Sequence, residues 1–142
     1  MNYNKTPMSL REGKIFIDGV ECLDGIKCNI KVALDTWTDR QLGERTPSTR
    51  VLGYAVSGDI TRRRSTPFLK EILKKYKATG ATPEFTIQGI VDDKASDYYK
   101  KHGSDTVTVV GCVLTGDITI LALDSSGTVL EDTIAFNGKD VV

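Results

Sequence analysis

The sequence predicts a mainly β domain, an antiparallel β-sandwich or barrel of about six or seven strands with one flanking α-helix. In several segments apolar residues alternate with polar ones, which is the period of a half-buried strand. Short clusters of Gly, Asp, Asn and Ser separate these segments. A single segment has its apolar residues at helical spacing. The 142 residues are enough for one domain, 1–142, with a core of its own.

The balance of positive and negative charges indicates which class of binding partner to expect. Lys and Arg number 19, as do Asp and Glu, so the formal net charge is zero. A dedicated nucleic-acid binder needs clustered positive charge, so no sequence-specific nucleic-acid partner is expected. A neutral chain repels its own copies little, which suits a protein that packs against itself.

The N-terminus and the cysteines indicate a cytosolic origin. No run of about 18 apolar residues occurs, so no membrane partner is expected. The polar residues 1–7 do not resemble a secretory signal. The odd number of cysteines, three, indicates reduced thiols.

The first predicted elements are an arm and a hairpin. Residues 1–12 form a polar N-terminal arm with little structure of their own. Lys14–Ile17 is a short strand, and Asp18-Gly19 after it is a hairpin turn signal. The clearest alternation follows, from Ile26 to Asp35.

A long polar loop is predicted next, over 39–50, because this stretch contains Gly43 and Pro47. The strand after it runs over Val51–Thr61. The apolar residues of that strand fall on one face: Leu52, Tyr54, Val56 and Ile60.

One amphipathic helix is predicted after this strand. Thr66 is suited to cap it and Pro67 to occupy its first position. Apolar side chains from Phe68 to Tyr76 form one stripe and lysines cover the other side, and Gly80 supplies the stop.

The rest of the chain is predicted to be extended, with a polar loop over Lys94–Gly103 and a turn at 125–127. The remaining predicted strands are Glu84–Asp92, Asp105–Leu114, Asp117–Leu123 and Thr128–Phe136.

Catalytic and metal-binding patterns are scarce. His102 is the only histidine, and an acyl-transfer site has no second base to draw on. The spacing of Cys22 and Cys28 does not match a zinc knuckle, and these residues are better explained as small buried hydrophobes. The sequence therefore predicts no enzyme, no cofactor and no metal.

Two further features have both a structural and a functional interpretation. Arg62-Arg63-Arg64 is the one basic run, and it suits a solvated strand end, interface ion pairs or a nucleic-acid contact. Trp37, the only tryptophan, suits either a core or loop anchor or an interface anchor.

An ordered series of segments resembles a known family. The opening GKIFIDGVE, the stretch TDRQLGER leading to GYAVSGDIT, then STPF, the helix, and PEFTIQGIVDD occur in this order. This series resembles the tail tube proteins of contractile phages and phage-like elements of Gram-positive bacteria, and the inner tube proteins of R-type bacteriocins such as diffocin. The resemblance extends from about residue 11 to the end.

The resemblance implies a β-sandwich or barrel with one flanking helix, whose hexameric rings stack into a tube inside a contractile sheath. It implies partners in the sheath, the baseplate and the tape-measure component, and assembly into a particle released by lysis. It also implies that the long loop contacts a neighbouring ring, through Asp39, Arg40, Gln41, Leu42, Gly43, Glu44, Arg45 and Arg50.

Alternation predicts one polar strand face that points away from the core, towards either the channel or the sheath-facing exterior. Its members are Lys27, Asn29, Lys31, Asp35, Ser57, Asp59 and Thr61. Two other functions remain open from the residues alone. A β-sandwich binding module would need spare exposed aromatics, and a small hydrolase would need a base. The residues do not separate a phage from a DNA-free bacteriocin.

Overall fold

The computed structural model describes residues 2–127 and 129–142 of the chain. Within these ranges it contains a short 3-10 turn at Leu10–Glu12, eight strands and two α-helices. The strands are β1 (Gly13–Ile17), β2 (Val20–Glu21), β3 (Gly25–Asp39), β4 (Ser48–Arg63), β5 (Phe85–Val91), β6 (Asp105–Leu114), β7 (Glu131–Gly138) and β8 (Asp140–Val141). The helices are α1 (Phe68–Thr79) and α2 (Asp97–His102). The predicted mainly β fold with a flanking helix is confirmed, with eight strands rather than six or seven.

All strand pairs are antiparallel, in the order β2-β1-β5-β6-β7-β4-β3, with β8 paired to β6. The sheet bends within β6, where Gly111 has a φ of +64°. Up to Cys112, β6 pairs with β5 and β8, and after it Val113 and Leu114 pair with β7. The bend brings the two halves of the sheet around a common core.

The core forms because apolar residues of neighbouring strands fall on the same face. Ile60 of β4 lies opposite Ile134 of β7, and both are fully buried. Leu69 of α1 completes the core from outside the sheet. The buried apolar residues are Val56, Ile60, Leu69, Phe85, Ile87, Val109, Cys112, Ile134 and Phe136. The predicted alternation is therefore confirmed where β4 has β7 beside it.

Helix α1 ends as predicted and begins differently. Gly80 adopts the left-handed conformation, and its N–H donates to the Tyr76 carbonyl. The helix starts at Phe68, with Pro67 at the cap position and no side-chain cap. The prediction that Thr66 caps the helix is wrong, because its hydroxyl and carbonyl both accept hydrogen bonds from Arg62.

The predicted polar loop Lys94–Gly103 contains a second helix, α2. Ser96 caps this helix, since its hydroxyl accepts a hydrogen bond from the Tyr99 N–H at 3.1 Å. The chain leaves the helix at Gly103, whose φ is +82°. The polar composition of the segment concealed a helix that is only six residues long.

The N-terminal arm supplies the other half of the α2 cap. The Asp97 N–H donates to the Lys5 carbonyl at 2.7 Å, and the Tyr98 N–H donates to the Thr6 carbonyl. The first amides of a helix have no partner within it, so these contacts stabilise α2. They come from residues far away in sequence, and a local pattern cannot predict them.

Two predicted strands in the last third of the chain differ from the structure. Residues 117–123 belong to no strand, and the last long strand begins at Glu131. The predicted first residue of that strand, Thr128, lies outside the described residues. The predicted turn is present, with the Ser126 N–H donating to the Asp124 carboxylate. However, the chain leaves β7 after Thr115, and residues 117–123 pair with no strand in the described ranges.

No helix in the described ranges is long and apolar enough to cross a membrane.

Candidate assembly surfaces

Strands β3 and β4 form a hairpin that extends beyond the rest of the sheet. Strand β7 accompanies β4 only from Val56 to Arg63. Before Val56, β3 is the only strand paired with β4 in the described ranges. The ribbon from Ala33 and Ala55 to the turn therefore has two strands and spans ~23 Å. Two strands alone are marginally stable in water, so this ribbon is suited to pack against another surface.

The predicted long loop is shorter in the structure than in the sequence analysis. Pairing continues to Asp39 opposite Ser48, so Asp39 is the last residue of β3, and Arg50 lies within β4. The turn itself covers 40–47. The hydroxyls of Thr38 and Thr49 are 3.0 Å apart and support the ladder near its end. The predicted loop limits 39–50 are therefore wrong. Polar side chains do not prevent strand pairing in a ribbon whose two faces are both exposed to solvent.

The turn holds the remaining predicted contact residues at the surface. Gly43 has a φ of +88°, which a side chain would oppose. The Gln41 carbonyl accepts a hydrogen bond from the Glu44 N–H. Leu42 is fully exposed. All of the predicted contact residues are exposed, namely Asp39, Arg40, Gln41, Leu42, Gly43, Glu44, Arg45 and Arg50.

Large apolar side chains on the ribbon are also exposed. Leu34 lies opposite Tyr54, and these residues are 60% and 56% exposed. Leu52 and Tyr54 were expected to share the buried face of Val56 and Ile60. The structure leaves both more than half exposed, because β7 pairs with β4 only from Val56 onward.

Trp37 also lies on this ribbon. It is 52% exposed and pairs with Arg50. The interpretation of Trp37 as a core residue is therefore wrong. An exposed Trp beside an Arg has the composition of an interface anchor.

A side-chain hydrogen bond ties the base of the ribbon to the end of the chain. The Tyr54 hydroxyl donates to Asp140 Oδ1 at 2.7 Å. This bond to a carboxylate raises the pKa of the Tyr54 phenol. The protonated phenol holds the ribbon against β8 through this hydrogen bond.

The predicted polar face is assembled by the strand register. Lys27 lies opposite Thr61, and Asn29 lies opposite Asp59. Lys31 lies opposite Ser57. Directly opposed residues share a face of a sheet, so these six side chains form one surface.

This polar face lies on the other side of the sheet from the core. The Asn29 amide donates to Asp59 Oδ1 at 3.3 Å within it. Thr133 of β7 extends it, opposite Thr61. Asp35 is set apart from the others, because it lies on the ribbon opposite Gly53. Leu69 packs with the core residues, so α1 and the polar face lie on opposite sides of the β3–β4–β7 sheet.

The basic run is mostly internal. Arg62 is 5% exposed and Asp132 1% exposed, with 3.5 Å between Arg62 Nη2 and Asp132 Oδ2. Arg64 donates from Nε to Asp132 Oδ1 at 2.8 Å. Arg62 also lies over the Phe68 ring, 5.6 Å from its centroid. Two of the three arginines are therefore committed to one buried carboxylate, and only Arg63 is exposed at the surface.

Asp132 was not singled out from the sequence, although its position carried a signal. It alternates with Ile134 and Phe136, so it falls on the buried face of its strand. A carboxylate at such a position needs a buried cation, and the nearby basic run is the matching feature.

Comparisons with known proteins identify the chain. A family model described as phage tail tube protein matches residues 2–141. The chain belongs to the phage tail tube protein family.

Among curated proteins, this tail tube protein is similar to the phage-like element PBSX protein XkdM of Bacillus subtilis (strain 168). The two are 26% identical over 133 residues, which cover 94% of this chain and 87% of XkdM. The uncharacterized protein YqbM of the same strain matches over the same shares, also at 26% identity.

Among solved structures, the fold of this tail tube protein is similar to chains of extracellular contractile injection systems. One is in the cryo-EM structure of the anti-feeding prophage cap, with a TM-score of 0.73, 11% identity and coverage of 100% of this chain and 91% of that chain. Another is in the PVC sheath/tube terminator in the extended state, with a TM-score of 0.70, 10% identity and coverage of 97% and 96%. These likenesses concern the fold.

The titratable residues considered for catalysis are dispersed in this tail tube protein. His102 lies in α2 against the Tyr98 ring, with 5.0 Å between the ring centroids. In the described ranges, no three His, Cys, Asp or Glu residues are grouped as a metal site would require.

The three cysteines are free thiols. Burial raises the pKa of Cys112 to about 11. Burial also raises the pKa of Cys22 and of Cys28, with added contributions from Asp24 and Asp59 respectively. Cys28 and Cys112 pack with the core as small apolar groups, whereas the half-buried Cys22 thiol donates a hydrogen bond to Asp24 Oδ1 at 3.1 Å.

Proposed function

We propose that this protein is the structural subunit of the inner tube of a contractile phage tail or R-type bacteriocin, and that its hexameric rings stack into a tube. Membership of the tail tube family and the likeness to chains of contractile injection systems support this proposal. The observation that carries it is the two-stranded ribbon, whose large apolar side chains are more than half exposed among the described residues.

The ribbon supplies the contact between rings. Leu34, Tyr54 and Trp37 are each more than half exposed, so a neighbouring copy that covers them would remove apolar surface from water and stabilise the contact. The exposed turn at 40–47 forms the tip of this surface. A neighbouring copy that covers the ribbon would also supply the support that two strands lack.

The polar face lines the channel in this proposal. Helix α1 lies on the opposite side of the β3–β4–β7 sheet and presents lysines to the exterior, where the sheath would surround the tube. If α1 is outermost, the face that bears Lys27, Asn29 and Lys31 points inward.

The remaining parts of the proposal follow from the assembly of the subunit into a tube. The subunit is made in the bacterial cytoplasm and enters a particle released by lysis. Its partners are further copies of itself, the sheath, the baseplate and the tape-measure component. It has no catalytic role and binds no cofactor, metal, membrane or specific nucleic-acid sequence.

Self-association is the first expected result. The purified protein should scatter light as a mixture of rings and longer assemblies at high concentration, since exposed apolar ribbons are then buried. A scattering mass that remains that of a monomer up to millimolar concentration would contradict the proposal.

Thiol labelling tests the inward orientation of the polar face. In assembled tubes, Lys31→Cys should react with a small maleimide and be protected from a bulky one. Lys74→Cys, on exposed α1, is the matched control and should react with both. The native thiols react slowly because their pKa values are raised. Equal labelling of position 31 by both reagents along the tube would place the polar face outside.

A further inference from the structure

The C-terminal chain leaves the sheet beside the base of the ribbon. Val56 of β4 lies opposite Gly138 of β7, and this is the last pair that these two strands form in the described ranges. The next residue, Lys139, donates its N–H to the Val110 carbonyl of β6 at 2.9 Å, and β8 then pairs with β6. The chain therefore crosses from one half of the sheet to the other where the ribbon begins.

The ribbon has a weak point close to this crossing. The register shifts between Asp35 and Thr36, which leaves Leu52 of β4 as an extra residue. An extra residue of this kind is a β-bulge, which bends a strand and interrupts its ladder. Apart from the chain neighbours of Gly53, no described residue comes within 4 Å of where a Cβ on Gly53 would lie. Direct packing therefore does little to fix the direction of the ribbon beyond the bulge.

One side-chain hydrogen bond holds the ribbon beside the bulge. Tyr54, two residues from Leu52, donates its hydroxyl to Asp140 Oδ1 at 2.7 Å. The same oxygen accepts from the Val141 N–H at 2.8 Å, so the backbone of β8 holds the carboxylate in place. In the described ranges this is the only side-chain hydrogen bond that connects residues 33–55 to another part of the subunit.

The strand register explains why these two side chains meet. Because Val56 lies opposite Gly138, an unbroken β7 would place Asp140 opposite Tyr54. Asp140 pairs with Val110 of β6 instead. The bond from Tyr54 takes the place of the missing backbone ladder, and a hydrogen bond to a carboxylate is stronger than one between neutral groups.

Asp140 is attached to a rigid part of the subunit. Strand β8 pairs with β6 at Val109, which is fully buried in the core. A side chain at Gly138 would collide with Val109, so the chain approaches the core closely just before it reaches Asp140. The bond to Tyr54 therefore refers the ribbon to the core rather than to a mobile terminus.

We propose that Asp140 is a positioning residue for assembly, which fixes the direction of the ribbon by accepting a hydrogen bond from Tyr54. This inference rests on the proposed function, in which the ribbon contacts a neighbouring ring. If the ribbon sampled several directions, only a fraction of the free subunits would be ready to dock, and the apparent affinity would fall by that fraction. The bond keeps the ribbon in one direction before docking.

Spin-label distances in the dilute subunit test the positioning directly. One label is attached at Arg45→Cys in the turn and the other at Glu131→Cys on β7, and both positions are exposed. Tyr54→Phe should widen the distribution of distances at least about twofold, because the hydrogen bond that favours one direction is lost. Tyr76→Phe is the matched control on α1, where the tyrosine is 53% exposed, and it should leave the distribution unchanged. A distribution that stays as narrow in Tyr54→Phe would overturn the inference.

Two substitutions of the carboxylate separate its role as an acceptor from its bulk. Asp140→Asn keeps an acceptor oxygen and should retain the narrow distribution, whereas Asp140→Ala removes it and should widen the distribution as Tyr54→Phe does. Asp140 and Tyr54 are both exposed, so far-UV circular dichroism should show the wild-type fold for each variant. A narrow distribution in Asp140→Ala would contradict the role of this residue.

The protein concentration at which tubes form measures the consequence for assembly. Tyr54→Phe should need about 3–10 times more protein than the wild type, the factor that one net hydrogen bond contributes. Tyr76→Phe should assemble at the wild-type concentration. If the wild type forms no rings or tubes, the proposed function is wrong, and the role of Asp140 in assembly is wrong with it. If the wild type forms tubes and Tyr54→Phe assembles at the same concentration, only the positioning inference is wrong.

Discussion

Replacing Asp132 by Asn is expected to lower the free energy of unfolding by about 3–5 kcal/mol. Asp132 is fully buried and accepts from Arg64 while facing Arg62. The amide keeps the size of the side chain and removes the charge that balances Arg62, which is itself buried. Arg62 would keep its hydrogen bonds to Thr66, but its buried charge would lose the carboxylate that balances it, and in the described ranges its Nε has no hydrogen-bond partner. Urea unfolding measures the change.

The neighbouring residue offers a matched control. Glu131→Gln makes the same chemical change on an exposed side chain and should alter the free energy of unfolding by no more than about 0.5 kcal/mol. If both variants were equally stable, the buried cluster would not hold β4 to β7 as argued. The loss expected for Asp132→Asn is a large fraction of the ~5–15 kcal/mol that stabilises a domain.

Replacing residues 40–47 by Asn-Gly is expected to abolish ring stacking and preserve the fold. Asp39 and Ser48 are paired, so a two-residue turn can close the ladder between them. The change removes Leu42 and the other exposed side chains of the turn, and shortening a surface loop changes stability little. Sedimentation would measure the loss of tubes, and far-UV circular dichroism would measure the fold.

A milder pair of variants tests whether assembly depends on the leucine of the turn or on any exposed leucine. Leu42→Ser should weaken assembly, whereas Leu10→Ser, which changes a similarly exposed leucine outside the turn, should not. Normal tubes from the Asn-Gly variant would show that the turn is not the contact between rings.

The sequence predicted the parts of this fold that local patterns control. Alternation located β3, β4 and β5 to within a few residues, and the Asp18-Gly19 signal located the first hairpin turn. Helix α1 was found because its apolar stripe and its Gly80 stop are both local.

The misses occurred where distant contacts decide the structure. Helix α2 depends on carbonyls of the N-terminal arm. The cap expected at Thr66 was lost to Arg62, which approaches from β4. Segment 117–123 has strand-forming residues, yet the Ile120 carbonyl accepts from Arg64 of a distant segment and the Ile120 side chain packs against the core.

The candidate surfaces were predictable to different degrees. The polar face followed from a period of two and is reproduced by the strand register, from Lys27 opposite Thr61 to Lys31 opposite Ser57. The exposure of Leu34 and Tyr54 was not predictable, because alternation shows which face is apolar and not whether anything covers it. That uncovered face is the basis of the assembly proposed above.

Electron microscopy of the purified protein tests the central claim most directly. At high concentration the account predicts hollow particles whose end-on class averages have six-fold symmetry and whose side views show stacked rings. Subunits that remain separate under these conditions, or that form only solid or irregular aggregates, would contradict it.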